Sequence, residues 1–183
     1  MNRSSSCTGS VDTSGVTSTP RVRSASRRRL PAAVALTVAA LLLTSCMIPE
    51  ESTAFDLMNR DRNANGISSY WANEAAVVKA QNWATHLATT SGGVCNSSKL
   101  RHSNLADGAP AGWRALGENV GCTSGTGPWQ SAVAALHAQF MNSGPHRGNV
   151  LSRTFTHGGV GLSMFYTGPN SWVVYETQFF VQF

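Results

Sequence analysis

Residues 143–151 read Ser-Gly-Pro-His-Arg-Gly-Asn-Val-Leu, and this stretch does most to decide the fold of the chain. It places His146 among turn-forming residues directly after a helical pattern. Two earlier segments have the same character: Arg-His-Ser around His102 and Gly-Glu-Asn-Val around Glu118. If folding brings the three side chains together, two imidazoles and a carboxylate can hold a metal ion or move a proton.

The first 45 residues have the pattern of an export signal. Three arginines at 27–29 precede an apolar run at 32–43. That run is shorter than the about 20 residues that a membrane-spanning helix needs. A positive segment, an apolar segment and small residues at the end are typical of a secretory signal peptide. We therefore predict a signal peptide over 1–45 with an unusually long polar leader.

Cys46 follows the apolar run directly. Residues 43–46 read Leu-Thr-Ser-Cys and resemble a bacterial lipobox, in which the cysteine is lipidated before cleavage and becomes the first residue. We predict lipid attachment at Cys46, a lipidated tether over 46–52 and anchoring on the outer face of the cytoplasmic membrane. The alternative is ordinary cleavage nearby, with no role for Cys46.

The positive charge of the chain belongs to the export signal. The whole chain has 14 Lys and Arg, 9 Asp and Glu, and a net charge of +5. Residues 1–45 contain six arginines and one acid, so the remaining chain has eight bases and eight acids. Its net charge gives no support to nucleic-acid binding. Its length fits one domain, which we expect to be monomeric.

Two cysteines, Cys95 and Cys122, lie beyond the export signal and the tether at 46–52. In an oxidising compartment such a pair predicts a disulfide bond, which would link the segment of His102 to that of Glu118.

The remaining pattern alternates helices with turn-rich segments. We predict helices over 53–62, 71–88 and 129–142, the second of them rich in alanine. Two apolar segments at 160–166 and 172–181 flank a Gly-Pro-Asn-Ser turn and predict an antiparallel hairpin. Residues 90–127 contain eight glycines and are expected to be irregular.

Taken in order, these motifs resemble the CAP superfamily of cysteine-rich secretory proteins, antigen 5 and pathogenesis-related proteins, with their bacterial relatives. The resemblance covers residues 53–183 and includes Asn59 and Arg62, the three segments described above and a Gly-x-Gly thirteen residues after His146. It implies an α+β fold, a three-layer α-β-α sandwich with a small, mainly antiparallel sheet and a large cleft.

The resemblance also assigns cleft residues. Animal and plant members place two histidines and two glutamates there, and His102, Glu118 and His146 match three of them. The second glutamate belongs at the end of the third helix, where this chain reads Leu-His-Ala-Gln-Phe-Met-Asn at 136–142. The missing carboxylate weakens any mechanism that needs paired acids.

These residues allow three interpretations. His102 and His146 could bind zinc, with Glu118 as a third ligand or as general base in a hydrolase. Ser103 or Ser143 beside a histidine could act as a nucleophile, although neither lies in a Gly-x-Ser-x-Gly turn. Alternatively, the three cleft residues form a hydrogen-bonded cluster whose role is structural and which holds the loops around the cleft together.

The remaining polar and aromatic residues receive no site. We expect His86 and His137 in helices, at the surface or half-buried, and His157 just before a strand. Trp113 is the best candidate for an exposed tryptophan. Arg147 and Asn149 are expected to hold the loop after the third helix.

We predict an exported, lipid-anchored CAP-domain protein that binds a lipid, cell-wall or peptide ligand without catalysis, and that requires no cofactor. The alternatives are a zinc-dependent extracytoplasmic hydrolase, with zinc at His102 and His146, and a structural surface protein.

Overall fold

The computed structural model describes residues 47–183. The predicted signal peptide and the predicted lipidation site at Cys46 lie outside the described residues. Within them the elements follow one another along the chain as α1 (Pro49–Ala64), β1 (Trp71–Ala72), α2 (Glu74–Thr90), β2 (Ala115–Thr126), α3 (Trp129–Asn142), α4 (Gly144–Val150), β3 (His157–Gly168) and β4 (Ser171–Gln182).

The four strands form one sheet in the order β1-β3-β4-β2. Strand β4 pairs antiparallel with both β2 and β3, and the two-residue β1 pairs parallel with β3. The sheet is therefore mainly antiparallel, as predicted. Strand β2 lies at its edge, which leaves one side of β2 open to the loops that carry candidate site residues.

Helices cover both faces of the sheet. Strand β4 is buried from Trp172 to Val181, and its side chains alternate between the two faces. Tyr175 packs with Leu87 of α2, whereas Val174 belongs to a cluster that includes side chains of α1 and α3. A strand buried on both faces reads as a nearly continuous apolar run, which is what this segment shows. The predicted three-layer α-β-α sandwich is confirmed.

Two glycines of β3 let α2 approach the sheet closely. A Cβ atom on Gly159 would lie less than 3.0 Å from the backbone of Val77, and one on Gly161 would lie as close to the backbone of Gln81. Gln81 then completes the contact, because its side chain accepts a hydrogen bond from Leu162 N at 2.9 Å and donates one to Leu162 O at 3.0 Å. The Gly-x-Gly segment is thus required by packing.

The prediction of irregular structure across 90–127 was wrong for strand β2. Its glycines contribute to the strand because aromatic rings fill the space of the missing side chains. A Cβ atom on Gly117 would lie 2.7 Å from the ring of Phe155, and one on Gly121 would lie 2.8 Å from the ring of Phe140. Tertiary packing therefore outweighs the low strand propensity of glycine.

The helix boundaries also differ from the predictions. Helix α1 begins at Pro49 rather than Thr53, because Glu51 accepts a hydrogen bond from the backbone N–H of Ile48 at 3.0 Å and caps the first turn. Helix α2 begins after Asn73, whose side chain accepts from Ala76 N at 3.0 Å. Residues 144–150, expected as a loop, form the short helix α4.

Other predictions are confirmed. Cys95 and Cys122 form a disulfide bond, and β3 and β4 form the expected hairpin. No helix in the described part of the chain is long and apolar enough to cross a membrane.

Candidate functional site

Glu118 is the centre of the candidate site. It lies in the edge strand β2, and its side chain is only 1% exposed. One carboxylate oxygen accepts from His102 Nδ1 at 2.9 Å and from Ser103 N at 2.8 Å. The other accepts from Ser103 Oγ at 2.7 Å. Three donors therefore hold this carboxylate in place.

Lys79 supplies the second buried charge near Glu118. This α2 residue is buried, and its ammonium group donates to the carbonyl oxygens of Asn104 at 2.9 Å and Asp107 at 2.6 Å. Burial lowers its pKa, and the negative charges of Glu118 and Asp107 oppose that shift. The two buried charges thus fix one loop, because Glu118 binds its beginning and Lys79 binds its middle.

His146 lies in α4, on the other side of the edge strand from α2. Its ring packs edge-on against Phe140 with centroids 5.2 Å apart. Burial lowers the pKa of His146, and the nearby His102 lowers it further. The imidazole is therefore biased toward its neutral form, which can accept a hydrogen bond or bind a metal ion.

A buried amide network connects α4 with the sheet. Asn119 is fully buried and donates to His146 O at 3.0 Å and to Gln178 Oε1 at 2.9 Å. Its own oxygen accepts from Asn149 Nδ2 at 2.9 Å. Gln178 in turn donates to Glu176 at 2.8 Å. The network sets the position of His146 through its backbone.

Asn119 and Gln178 are positioning residues that sequence reasoning missed. The available signal for Gln178 was an amide in an apolar strand segment, since a buried amide needs partners. Asn119 lies in a segment without a strand pattern and gave no such signal. Asn149 fulfils its expected role of holding the segment after α3 in place.

Arg62 of α1 anchors the end of α4. Its guanidinium donates to Val150 O at 2.8 Å and to Ser152 O at 2.7 Å, and it lies 3.5 Å over the ring of Tyr70. Tyr70 donates to Asn149 O at 2.7 Å. The α4 segment is therefore fixed at both ends, although the helix has only seven residues.

Two cavities are lined by other residues of the candidate site. One, of about 260 Å³, is lined by His146, Phe140 and the disulfide. The other, of about 320 Å³, lies between α2 and the loop that begins at Ser103.

A family model described as the cysteine-rich secretory protein family (CAP) matches residues 55–182. The chain belongs to this family.

Three solved structures are similar to this CAP domain. An extracellular protein containing an SCP domain from Bacillus anthracis str. Ames has 23% identity and a TM-score of 0.52, over 73% of this chain and 40% of that chain. A cysteine-rich secretory protein from Staphylococcus aureus subsp. aureus Mu50 has 15% identity and a TM-score of 0.43, over 73% and 39% of the two chains. An outer surface protein from Borrelia burgdorferi has 10% identity and a TM-score of 0.47, over 73% and 92%.

These likenesses concern the fold. The chain spans about 40% of the length of the Bacillus protein. No curated protein matches the sequence.

The residues of this CAP domain do not fit a preformed catalytic zinc site. Such a site needs three protein ligands and an open position. Within residues 47–183, no three His, Cys, Asp or Glu side chains form a group that could hold a metal ion. Both oxygens of Glu118 already accept hydrogen bonds from His102 and Ser103. Zinc binding by His102 and His146 alone stays a prediction.

Ser103 is not arranged as a nucleophile. Its hydroxyl donates to Glu118 rather than to an imidazole. The predicted pair of a serine hydroxyl and a histidine base is therefore not formed at Ser103.

One expectation outside the cleft was wrong. His137 is only 3% exposed, because its Nε2 pairs with Asp61 at 2.8 Å between α3 and α1. Burial alone would raise the pKa of Asp61, but this hydrogen bond and the charges of His137 and Arg60 lower it. Trp113 is 42% exposed, which confirms that expectation, and Trp71 is exposed as well, at 73%, because it lies on the two-residue edge strand β1.

Proposed function

We propose that this protein is exported, is anchored by lipid at Cys46 and serves as a binding module without catalysis. The burial of Glu118, together with the three hydrogen bonds that it accepts, carries the second part of the proposal. A general base must come within hydrogen-bond reach of the water or substrate from which it takes a proton. Here both oxygens accept donors from the protein, and the side chain is 1% exposed.

The geometry supports a role for this carboxylate in shaping a binding surface. It immobilises the loop after His102, and His102 itself has a side chain that is 57% exposed. A rigid loop beside an exposed imidazole lowers the entropic cost of binding a ligand. We take the ligand to be a component of the cell surface, since the family name denotes secreted proteins.

Calorimetric titration with zinc tests the absence of metal catalysis. The purified protein is compared with His102→Ala/His146→Ala and with His157→Ala, which removes a histidine outside the cleft. We expect no submicromolar binding that depends on the cleft pair. Submicromolar binding lost only in the double variant, together with turnover sensitive to chelators, would support a zinc hydrolase instead.

The anchor is tested separately with Cys46→Ala. We expect this variant to leave the membrane fraction or to remain unprocessed. If it fractionates like the natural sequence, the protein is not held by a lipid on Cys46.

A further inference from the structure

The larger cavity near the site is a groove between α2 and residues 103–108. Its volume is about 320 Å³, within the lower range of small-ligand sites. The residues that give it chemical character are Val78, Asn82, Trp83, His86, Asn104 and Asp107. We call it the α2 groove.

Both walls of the α2 groove are held rigidly. Lys79 binds the carbonyls of Asn104 and Asp107, so the loop is tied directly to the helix. The Trp83 ring is fixed as well, because its indole N–H donates to Arg101 O at 3.0 Å. His86 stacks on that ring, with centroids 4.5 Å apart and planes 18° apart. The groove therefore exists before any ligand arrives.

The lining of the groove combines an apolar surface with free polar groups. Trp83 and His86 present stacked rings, and Val78 beside them is 54% exposed. The side chains of Asn82, Asn104 and Asp107 are exposed and make no hydrogen bond to any of residues 47–183. Two amides and a carboxylate thus surround the apolar surface with unused donors and acceptors.

This combination matches a sugar ring better than it matches other ligands. A pyranose has an apolar C–H face that packs on aromatic rings and hydroxyl groups around its edge that need hydrogen-bonding partners. A lipid tail would leave Asn82 and Asp107 unpaired and desolvated. An anion would meet the carboxylate of Asp107, while the ammonium of Lys79 is already occupied by two carbonyls.

We infer that the α2 groove binds a pyranose ring of a cell-surface glycan. The inference rests on the proposed function, because it names the ligand class of the binding module. It also gives the two buried charges a purpose: Glu118 and Lys79 hold the loop that forms one wall.

Calorimetric titration with two soluble probes tests the inference: the β-linked trimer of N-acetylglucosamine and the β-linked trimer of glucose. We expect at least one to bind with a dissociation constant in the micromolar to millimolar range. Asn82→Ala and His86→Ala should each weaken binding by about tenfold or more. Both residues are exposed, so the fold should persist. Trp71→Ala is the matched control and should bind like the natural protein.

The relative affinity of the two probes identifies the source of the ring. Preference for the acetylated trimer points to an amino-sugar polymer, and equal binding points to recognition of the ring alone. Failure of both probes at millimolar concentration overturns the inference, as does binding that Asn82→Ala and His86→Ala leave unchanged. A third outcome is that neither sugar binds, whereas phospholipid vesicles bind the natural protein and not the two variants. This result would overturn the sugar inference but leave the proposed binding function intact.

Discussion

Replacing Glu176 with glutamine should change how the stability of the domain depends on pH. This β4 side chain is fully buried, accepts one hydrogen bond from Gln178 and has a second oxygen without a partner among residues 47–183. Desolvation raises its pKa from the ordinary 4.5 to about 7, although the hydrogen bond from Gln178 opposes the shift. A shift of that size corresponds to about 3 kcal/mol.

The sign of the effect follows from proton linkage. Between about pH 4.5 and 7 the folded state holds the proton on Glu176 more tightly than the unfolded state does. The contribution of Glu176 to the free energy of unfolding therefore decreases as pH rises through that window. Above pH 7 the folded state carries the full cost of burying the ionised carboxylate. Glutamine has a similar shape and does not titrate. The stability of Glu176→Gln relative to the natural protein should thus rise by about 3 kcal/mol between pH 4.5 and 8.

Denaturant unfolding followed by tryptophan fluorescence measures this difference at several pH values. The buried amide of the variant changes the free energy of unfolding by an amount that does not vary with pH. The comparison therefore uses the pH dependence of the difference between the two proteins, not its absolute value. Other groups, including His146, titrate in both proteins and cancel. Asp56→Asn removes an exposed acid of α1 and is the control, expected to stay within about 0.5 kcal/mol. Parallel stability curves for Glu176→Gln and the natural protein would refute the reasoning.

Three further perturbations test the packing and the loop that carries the site. Gly161→Ala places a Cβ atom against the α2 backbone and should lower the free energy of unfolding by about 3 kcal/mol or prevent folding. Gly148→Ala is the control, because its Cβ atom would point into open space and should leave the free energy of unfolding unchanged or raise it. Replacing Cys95 and Cys122 with serine should lower the free energy of unfolding by about 3–4 kcal/mol, from the loop that they close; an unchanged midpoint in denaturant would count against this. Lys79→Met leaves two loop carbonyls without their donor and should increase amide hydrogen exchange across 103–108; unchanged exchange would contradict the tethering role.

The features of the fold that could be predicted are those with a local pattern. Residues 129–142 have helical periodicity and Pro128 before them, so the helix was found with its boundaries. Strand β2 has no such pattern, because its glycines become strand residues only when Phe140 and Phe155 fill the space beside them. Such contacts join residues far apart in the sequence and leave no periodic signal.

The candidate site was predictable to a similar extent. The motif order pointed to His102 and Glu118, which the structure joins by a hydrogen bond. Lys79 could not be found, since a lysine in an alanine-rich helix reads as solvent-exposed. Its burial depends on two loop carbonyls that come within reach only in the folded chain. The two hydrogen bonds from Ser103 to Glu118 could not be predicted for the same reason.

The central position of β4 has a consequence for the order of folding. Among the elements of residues 47–183 this strand comes last in the sequence, yet it is the one strand there with which β2 pairs, and β3 pairs otherwise with just two residues of β1. A nascent chain that lacks residues 171–182 therefore has no sheet on which its helices can pack. Because pairing β2 with β4 closes a long loop, folding should be late and comparatively slow. The emerging polypeptide would therefore lack the paired sheet until residues 171–182 have been synthesised, and would stay open to unfolded-chain processes such as translocation or proteolysis until then.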